Sequence, residues 1–297
     1  MTIAITPLSR ALGAEVAGVD LAQPLDDATF DAFHTAWMDH LVVVFRDQQL
    51  TDTQLEQFSA RLGVLDRKPV YTDNVLDTTT SDYVCVISNV KVGGKSIGDL
   101  GDGEAVWHMD MTYNDVPPMA SALYALEVPP SGGDTGFANM YRAYETLPPD
   151  LKARVETLRG KHDATYNSAG GLRRGMKPTN DARLSAGAIH PLVRTHPVTG
   201  RNALYLGRRN NAYIVGLELE ESEALLNRLW AHATQPQFAW HHQWRKGDVV
   251  LWDNRCVMHR RDPFDPATRR VMHRTQVKGD QPVFRHARAE SEISVAP

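Results

Sequence analysis

Trp107-His108-Met109-Asp110 sets an imidazole and a carboxylate two residues apart. In an extended strand, residues two apart project to the same side, so His108 and Asp110 are expected to share a face. The best candidate for a third ligand is His259, at the end of Trp252-Asp253-Asn254-Arg255-Cys256-Val257-Met258-His259. Two histidines and a carboxylate, with the remaining positions open, form the donor set of non-haem Fe(II) oxygenases. Taken alone the short motif is a weak signal, because the chain carries 12 histidines and most histidines are surface or hydrogen-bonded core groups. Its surroundings strengthen it. Pro129-Pro130-Ser131-Gly132-Gly133-Asp134 makes a turn that presents Thr135, and Arg269-Arg270-Val271-Met272-His273-Arg274 reads as a strand with Arg270, Met272 and Arg274 on one face. Arginine offers a planar fork that matches a carboxylate, worth about 1.5–3 kcal/mol per charge-assisted bond, and a threonine hydroxyl adds a donor. The ordinary alternative for Arg270 is a surface salt bridge worth about 0–1 kcal/mol.

With these segments in place, the chain resembles the taurine dioxygenase and 2,4-dichlorophenoxyacetate dioxygenase group of Fe(II)- and 2-oxoglutarate-dependent oxygenases. The resemblance runs from Leu12-Gly13-Ala14-Glu15 to Gly279-Asp280 and is densest around Trp107–Asp110, Pro130–Thr135, Gly247–Arg255, His259 and Arg270. It implies that His108, Asp110 and His259 bind iron and carry the catalysis, and that Thr135 and Arg270 hold the distal carboxylate of 2-oxoglutarate. Trp252 joins the cosubstrate residues. Arg274 lies near the other end of the cosubstrate or near an anionic group of the substrate. Tyr71, Asn89 and Tyr113 are further candidates for substrate contact. The resemblance also implies the reaction: 2-oxoglutarate and O2 are consumed, succinate and CO2 are released, and a substrate C–H bond is hydroxylated. Related halogenases replace the carboxylate ligand with a small residue, so Asp110 favours hydroxylation. Hydroxylation beside a heteroatom gives a product that breaks apart, as in the ether- and sulfonate-cleaving members. The carboxy-terminal half looks most like the phenoxyalkanoate-cleaving members, which points to a small organic acid. The alternatives with the same cofactors are a sulfonate such as taurine, or an amino-acid or natural-product intermediate.

Composition narrows the partners. A chain of 297 residues, 42% hydrophobic, can bury a substantial core. Its net charge of -4 gives no electrostatic reason to expect nucleic acid or an anionic membrane. Two cysteines, Cys85 and Cys256, cannot make a disulfide framework and suit a reducing compartment. The first residues lack a signal-peptide pattern and no apolar run is long enough to span a bilayer. The expectation is a cytoplasmic enzyme, assembled as a dimer or tetramer of identical chains.

The elements that must position these residues are legible in part. Asp26 or Asp27 caps a helix whose inner face is Phe30, Phe33, His34 and Trp37. Leu41–Phe45 is continuously apolar and reads as a buried strand. Thr51-x-x-Gln54 has the form of a capping box, with Leu50 and Leu55 as a hydrophobic staple, ahead of a helix that stops at Gly63. A strand over Tyr83–Val90 leads into five glycines between Gly93 and Gly103, read as a mobile loop that could act as a flap over the iron. Strands span Ala120–Val128; Asn139 caps one short helix and Pro149 begins another. The polar, Gly-rich stretch 160–188, with Arg173, Arg174 and Lys177, is either an active-site lid or a surface loop. A hairpin turns at Thr199-Gly200, a helix covers about 218–234, and Phe238–Trp244 alternates so that His241 and His242 point to opposite faces.

Many short strands with few helices argue for a mainly β chain with flanking helices. The resemblance makes this a double-stranded β-helix, a cupin-like jelly roll, in one domain over 1–297. Two readings from other classes remain. A zinc hydrolase could use two histidines and an aspartate, but H-E-x-x-H is absent and Thr135 and Arg270 would share no task. A non-catalytic cupin-like binding protein would tolerate an incomplete ligand set, whereas this set is complete.

Overall fold

The computed structural model describes residues 3–68, 75–79, 81–101, 105–167, 170–173 and 175–286. Tyr71 and Arg174 lie outside the described residues. Two β-sheets face each other. The major sheet has eight strands in the order Ala4–Pro7, Ala14–Ala17, Val42–Phe45, Val249–Asp253, Pro118–Glu127, Val271–Lys278, Cys85–Ser88 and Asp99–Leu100. The minor sheet has four, Ala239–His242, Thr135–Asn139, Val257–Arg261 and Ala105–His108. This is the expected jelly roll, antiparallel apart from two parallel pairs in the major sheet.

The continuous apolar strands have a simple physical cause: the major sheet is covered on both faces. Val42, Val44, Val250 and Trp252 point into the core between the sheets, with Phe137 and Met258 of the minor sheet. Val43, Phe45, Val249 and Leu251 point the other way, into a second core with Phe33, Trp37, Leu55 and Phe58 from the two amino-terminal helices. Each such side chain withdrawn from water contributes about 1.5–3 kcal/mol.

The helix signals are realised. Asp26 caps Asp27–His40 by accepting the Thr29 N–H at 2.7 Å, and Thr51 and Gln54 complete the capping box of Asp52–Ala60. Asn139 caps Met140–Glu145, Pro149 begins Pro149–Val155, and Leu219–Ala233 packs Leu225, Leu226 and Leu229 onto the first core. Val193–Thr195 and Asn202–Leu204 pair as a hairpin around Gly200, whose φ is 70°.

Two local expectations change. The strand before the glycines is short, Cys85–Ser88, and the glycines that follow first build a tight hairpin: Lys91–Val92 pairs with Lys95–Ser96 across Gly93 and Gly94, both at positive φ. His108 ends its strand, and Asp110 lies in the following turn, next to Met111 at φ 47°. His108 and Asp110 therefore converge because the chain turns after His108, not because a strand alternates. No helix among the described residues is long and apolar enough to cross a membrane.

Candidate active site

The minor sheet sets the two candidate histidines. The Val257–Arg261 strand runs between Thr135–Asn139 and Ala105–His108, in a register that opposes His259 to Phe137 on one side and to His108 on the other. The two imidazoles lie 4.2 Å apart between ring centres, inclined by 48°. The turn after His108 brings Asp110 to them: Oδ1 lies 3.7 Å from Nε2 of His108 and 3.7 Å from Nε2 of His259. These separations exceed a good hydrogen bond, and all three ligand atoms fall within 4.8 Å of one another. Three buried donors gathered without bonding each other are suited to a cation among them.

Neighbouring groups hold the donors in the required state. Nδ1 of His108 lies 2.7 Å from the Val106 carbonyl. A carbonyl only accepts, so Nδ1 carries the proton and the Nε2 lone pair faces inward. Oδ2 of Asp110 accepts from the Ser121 hydroxyl at 2.8 Å and from the Gln276 amide at 3.2 Å. Ser121 accepts from Asn254 at 3.0 Å, and Asn254 accepts from the Trp252 indole N–H at 2.8 Å. With Oδ2 engaged, Oδ1 is the oxygen left for the histidines. Burial works against ionising Asp110, but the imidazoles and Arg274, whose Nη1 lies 3.7 Å from Oδ1, outweigh it and hold the carboxyl well below the usual range. Burial, aided by His108, pushes His259 down to about 3 against the opposing pull of Asp110. A carboxylate beside neutral imidazole is the protonation state that binds a metal.

Thr135, Arg270 and Arg274 open onto the same cavity as the triad, a space of about 1010 Å³. Arg270 is 2% exposed, and among the described residues no carboxylate lies within ion-pair range of it; its Nε has no hydrogen-bond partner. Burial and the nearby Arg261 push it down to about 9. A buried guanidinium without a counter-charge is costly, so the site is built to receive an anion. Thr135 accepts from the Trp244 indole at 2.9 Å, which leaves its own hydroxyl proton to donate. The turn before it requires glycine: Gly132 and Gly133 have φ of 74° and 70°, and a side chain on Gly132 would meet the Pro263 carbonyl at 2.8 Å. The donor set thus fits both groups implied by the sequence, a divalent metal at the triad and a dicarboxylate reaching Arg270.

The other sequence candidates separate. Tyr113 lines the cavity, with the Arg173 guanidinium 3.9 Å above its ring centre and hydrogen-bonded to its hydroxyl. Trp252 lines it too, 4.9 Å from the His259 ring, and its indole N–H is spent on Asn254. Asn89, expected to touch substrate, is not among the cavity-lining residues; it accepts the Arg270 backbone N–H at 3.0 Å and donates to the Thr268 carbonyl at 2.8 Å. It positions Arg270 from behind. From the 160–188 stretch, His162, Asp163, Ala164, Asn167, Leu172 and Arg173 wall the cavity.

Sequence reasoning missed Ser121, Gln276, Asn254, Arg261 and Arg208. Gln276 could have been found, since it continues the Arg270, Met272, Arg274 alternation. Arg208 comes from an isolated bridge after the Asn202–Leu204 strand, without any periodic signal. A second buried cluster, His196, Asp253 and Cys256, also has metal-ligand spacing. There the Arg255 guanidinium already grips Asp253 with hydrogen bonds of 2.8 and 2.6 Å, its backbone N–H adds one at 2.9 Å, and His196 another at 3.0 Å. That carboxylate is satisfied and the cluster is structural.

Comparison with known proteins agrees with this geometry. Residues 4–276 match the family described as Taurine catabolism dioxygenase TauD, TfdA family. The chain is 39% identical over 290 residues to an (S)-phenoxypropionate/alpha-ketoglutarate-dioxygenase of Sphingobium herbicidovorans, covering 93% of this chain and 95% of that protein. It is 33% identical to an alpha-ketoglutarate-dependent 2,4-dichlorophenoxyacetate dioxygenase of Cupriavidus pinatubonensis, covering 94% and 99%. Among solved structures, a taurine dioxygenase from Burkholderia xenovorans superposes with a TM-score of 0.77 at 36% identity, over 95% of this chain and 93% of that one.

Proposed function

The chain belongs to the TauD/TfdA family of dioxygenases, and from that premise we propose that it hydroxylates a small organic acid of the phenoxyalkanoate type at the carbon bearing the ether oxygen. It is an Fe(II)- and 2-oxoglutarate-dependent dioxygenase. The observation that carries the substrate-independent part of the reading is the meeting of two demands in one cavity: a buried His-Asp-His triad and a buried arginine with no carboxylate partner among the described residues.

In this reading His108, Asp110 and His259 hold the iron, and Arg270 with Thr135 holds the far carboxylate of 2-oxoglutarate. The bound iron and cosubstrate supply the oxidation: O2 is consumed, 2-oxoglutarate leaves as succinate and CO2, and a substrate C–H becomes C–OH. The protein's own groups set the conditions. Ser121 and Gln276 keep Asp110 turned toward the imidazoles, and Val106 fixes the His108 tautomer. Arg274 offsets the carboxylate charge on the other side. Described residues of the 160–188 stretch, among them His162, Asp163 and Arg173, line the substrate space. Hydroxylation next to an aryl ether oxygen forms a hemiketal, which collapses to a phenol and a 2-oxo acid with no further oxidant.

The chain 1–297 acts as one catalytic unit in this reading. The buried thiols Cys85 and Cys256 suit the reducing conditions of a cytoplasm. The test is a substrate panel of 2-phenoxypropionate, 2,4-dichlorophenoxyacetate, taurine and an alkyl sulfate ester, followed by succinate release and product analysis. Phenol formation matching succinate one to one supports the reading. Turnover of taurine or the sulfate ester alone would move the substrate to that class and leave the cofactor assignment in place.

A further inference from the structure

The cavity contains a basic group that neither the metal triad nor the Arg270 pocket uses. Gly207 and Arg208 lie against the first ligand segment: the Met109 N–H donates to the Gly207 carbonyl at 3.0 Å, and Arg208 forms an isolated antiparallel bridge with His108. Directly opposed residues of an antiparallel pair project from the same face, so Arg208 enters the cavity beside a metal ligand, and it is among the residues that line it. The approach depends on glycine. Gly207 sits at φ 68°, and a side chain there would fall 2.0 Å from Nδ1 of His162 and 2.7 Å from the Thr112 hydroxyl.

Arg208 is 7% exposed. Its Nη2 donates to the Asp163 carbonyl at 2.9 Å, the Asp163 carboxylate is 3.8 Å away, and among the described residues its Nε has no hydrogen-bond partner. Burial, aided by a second guanidinium, Arg173, pushes Arg208 down to about 10. Arg173 is fixed by the Tyr166 carbonyl at 3.0 Å and by the face of Tyr113. Among the described residues, Asp163 is thus the one carboxylate within ion-pair range of Arg208, at 3.8 Å, and none lies within that range of Arg173, while Val75, Ile87, Leu172 and Met176 supply apolar lining. A buried donor left open among cations is a place for an anion.

We propose that Arg208, assisted by Arg173, anchors the anionic group of the substrate, which is an organic acid with an apolar body. Arg270 is thereby left to the cosubstrate. The inference rests on the organic-acid reading above and adds the residues that select the acid.

The test is calorimetric binding of (S)-2-phenoxypropionate and of its neutral primary amide to oxygen-free protein loaded with Fe(II) and 2-oxoglutarate. Wild type, Arg208→Gln and Arg208→Lys are compared, and 2-oxoglutarate affinity is measured on each. Wild type is expected to prefer the acid. Arg208→Gln should bind the acid about tenfold to a hundredfold more weakly, bind the amide as before and keep its 2-oxoglutarate affinity, while Arg208→Lys should recover part of the preference. An undiminished preference in Arg208→Gln overturns the anchor and leaves the organic-acid reading intact. Loss of 2-oxoglutarate affinity in a folded Arg208→Gln overturns it in another way, by assigning the residue to the cosubstrate. Absence of any acid preference in wild type that still binds 2-oxoglutarate removes the organic-acid reading and the anchor with it.

Discussion

Arg270→Met separates what Arg270 costs the fold from what it gives the ligand. The wild-type guanidinium is buried beside a second arginine with no acidic partner among the described residues, so methionine, unbranched and of similar length, should relieve an unpaired charge. Replacing buried charged groups by packed apolar ones is often neutral or stabilising. The ligand-free variant is therefore expected to melt at or above the wild-type temperature. The opposite holds with 2-oxoglutarate. At a concentration 100 times its Kd, a ligand stabilises by about 2.7 kcal/mol, a shift of about 5 °C for a chain of this size. Removing one partner of a buried, hydrogen-bonded charge pair costs about 2–5 kcal/mol, or at least about 30-fold in affinity. A variant weakened about 100-fold would keep about 0.4 kcal/mol of stabilisation at the same concentration, a shift of under about 1 °C. The assay is thermal unfolding of iron-loaded, oxygen-free protein with and without 2-oxoglutarate. An equal ligand-induced shift in wild type and variant would refute the cosubstrate role. A large fall in melting temperature of the ligand-free variant would refute the claim that this charge is carried for the ligand.

Other consequences follow from single contacts. Ser121→Ala removes the donor to Oδ2 of Asp110 and the acceptor for Asn254; metal affinity should fall about 10- to 100-fold, checked by anaerobic competition with a chelator, and an unchanged affinity would show that Gln276 alone orients the carboxylate. His162 is buried, and desolvation, aided by His190, pushes it down to about 3. Because the unfolded chain takes up this proton near pH 6.5 and the folded chain does not, stability should decline as pH falls below about 6.5. Between pH 7 and pH 5 the loss from this one group is about 2 kcal/mol; denaturant unfolding of His162→Gln should show a pH dependence shallower by that amount, and identical slopes would mean that His162 charges without penalty. Gly207→Ala should lose stability sharply in the same assay, since its methyl would collide with the His162 ring.

Much of the site was legible because its residues lie in segments whose local chemistry is strong. The Pro-Pro-Ser-Gly-Gly turn presents Thr135 because only glycine accepts the backbone there, and Arg274 and Gln276 share a side because the strand Val271–Lys278 alternates, with Arg270 immediately before it opening onto the same cavity. Asp110 was placed correctly by an argument that does not apply to it: alternation ends with the strand at His108, and the turn at Met111 completes the approach. The helix caps at Asp26 and Thr51 were legible because they are local hydrogen bonds. What could not be read depended on long-range register. Ser121 reaches Asp110 only because Pro118–Glu127 lies between Val249–Asp253 and Val271–Lys278. Asn89 carries a polar side chain suited to a substrate; in the structure it is not among the cavity-lining residues and accepts the Arg270 backbone N–H instead, a contact that no local pattern reveals. Arg208 has no pattern around it; its role depends on a bridge to a residue 100 positions earlier.

The most direct measurement of the central claim is the visible difference spectrum of oxygen-free protein as Fe(II) and then 2-oxoglutarate are added, with His108→Ala as control. The account predicts the weak charge-transfer band of a 2-oxoglutarate chelate on ferrous iron in wild type and its absence in the variant. Folded wild-type protein that holds iron and shows no band would contradict it.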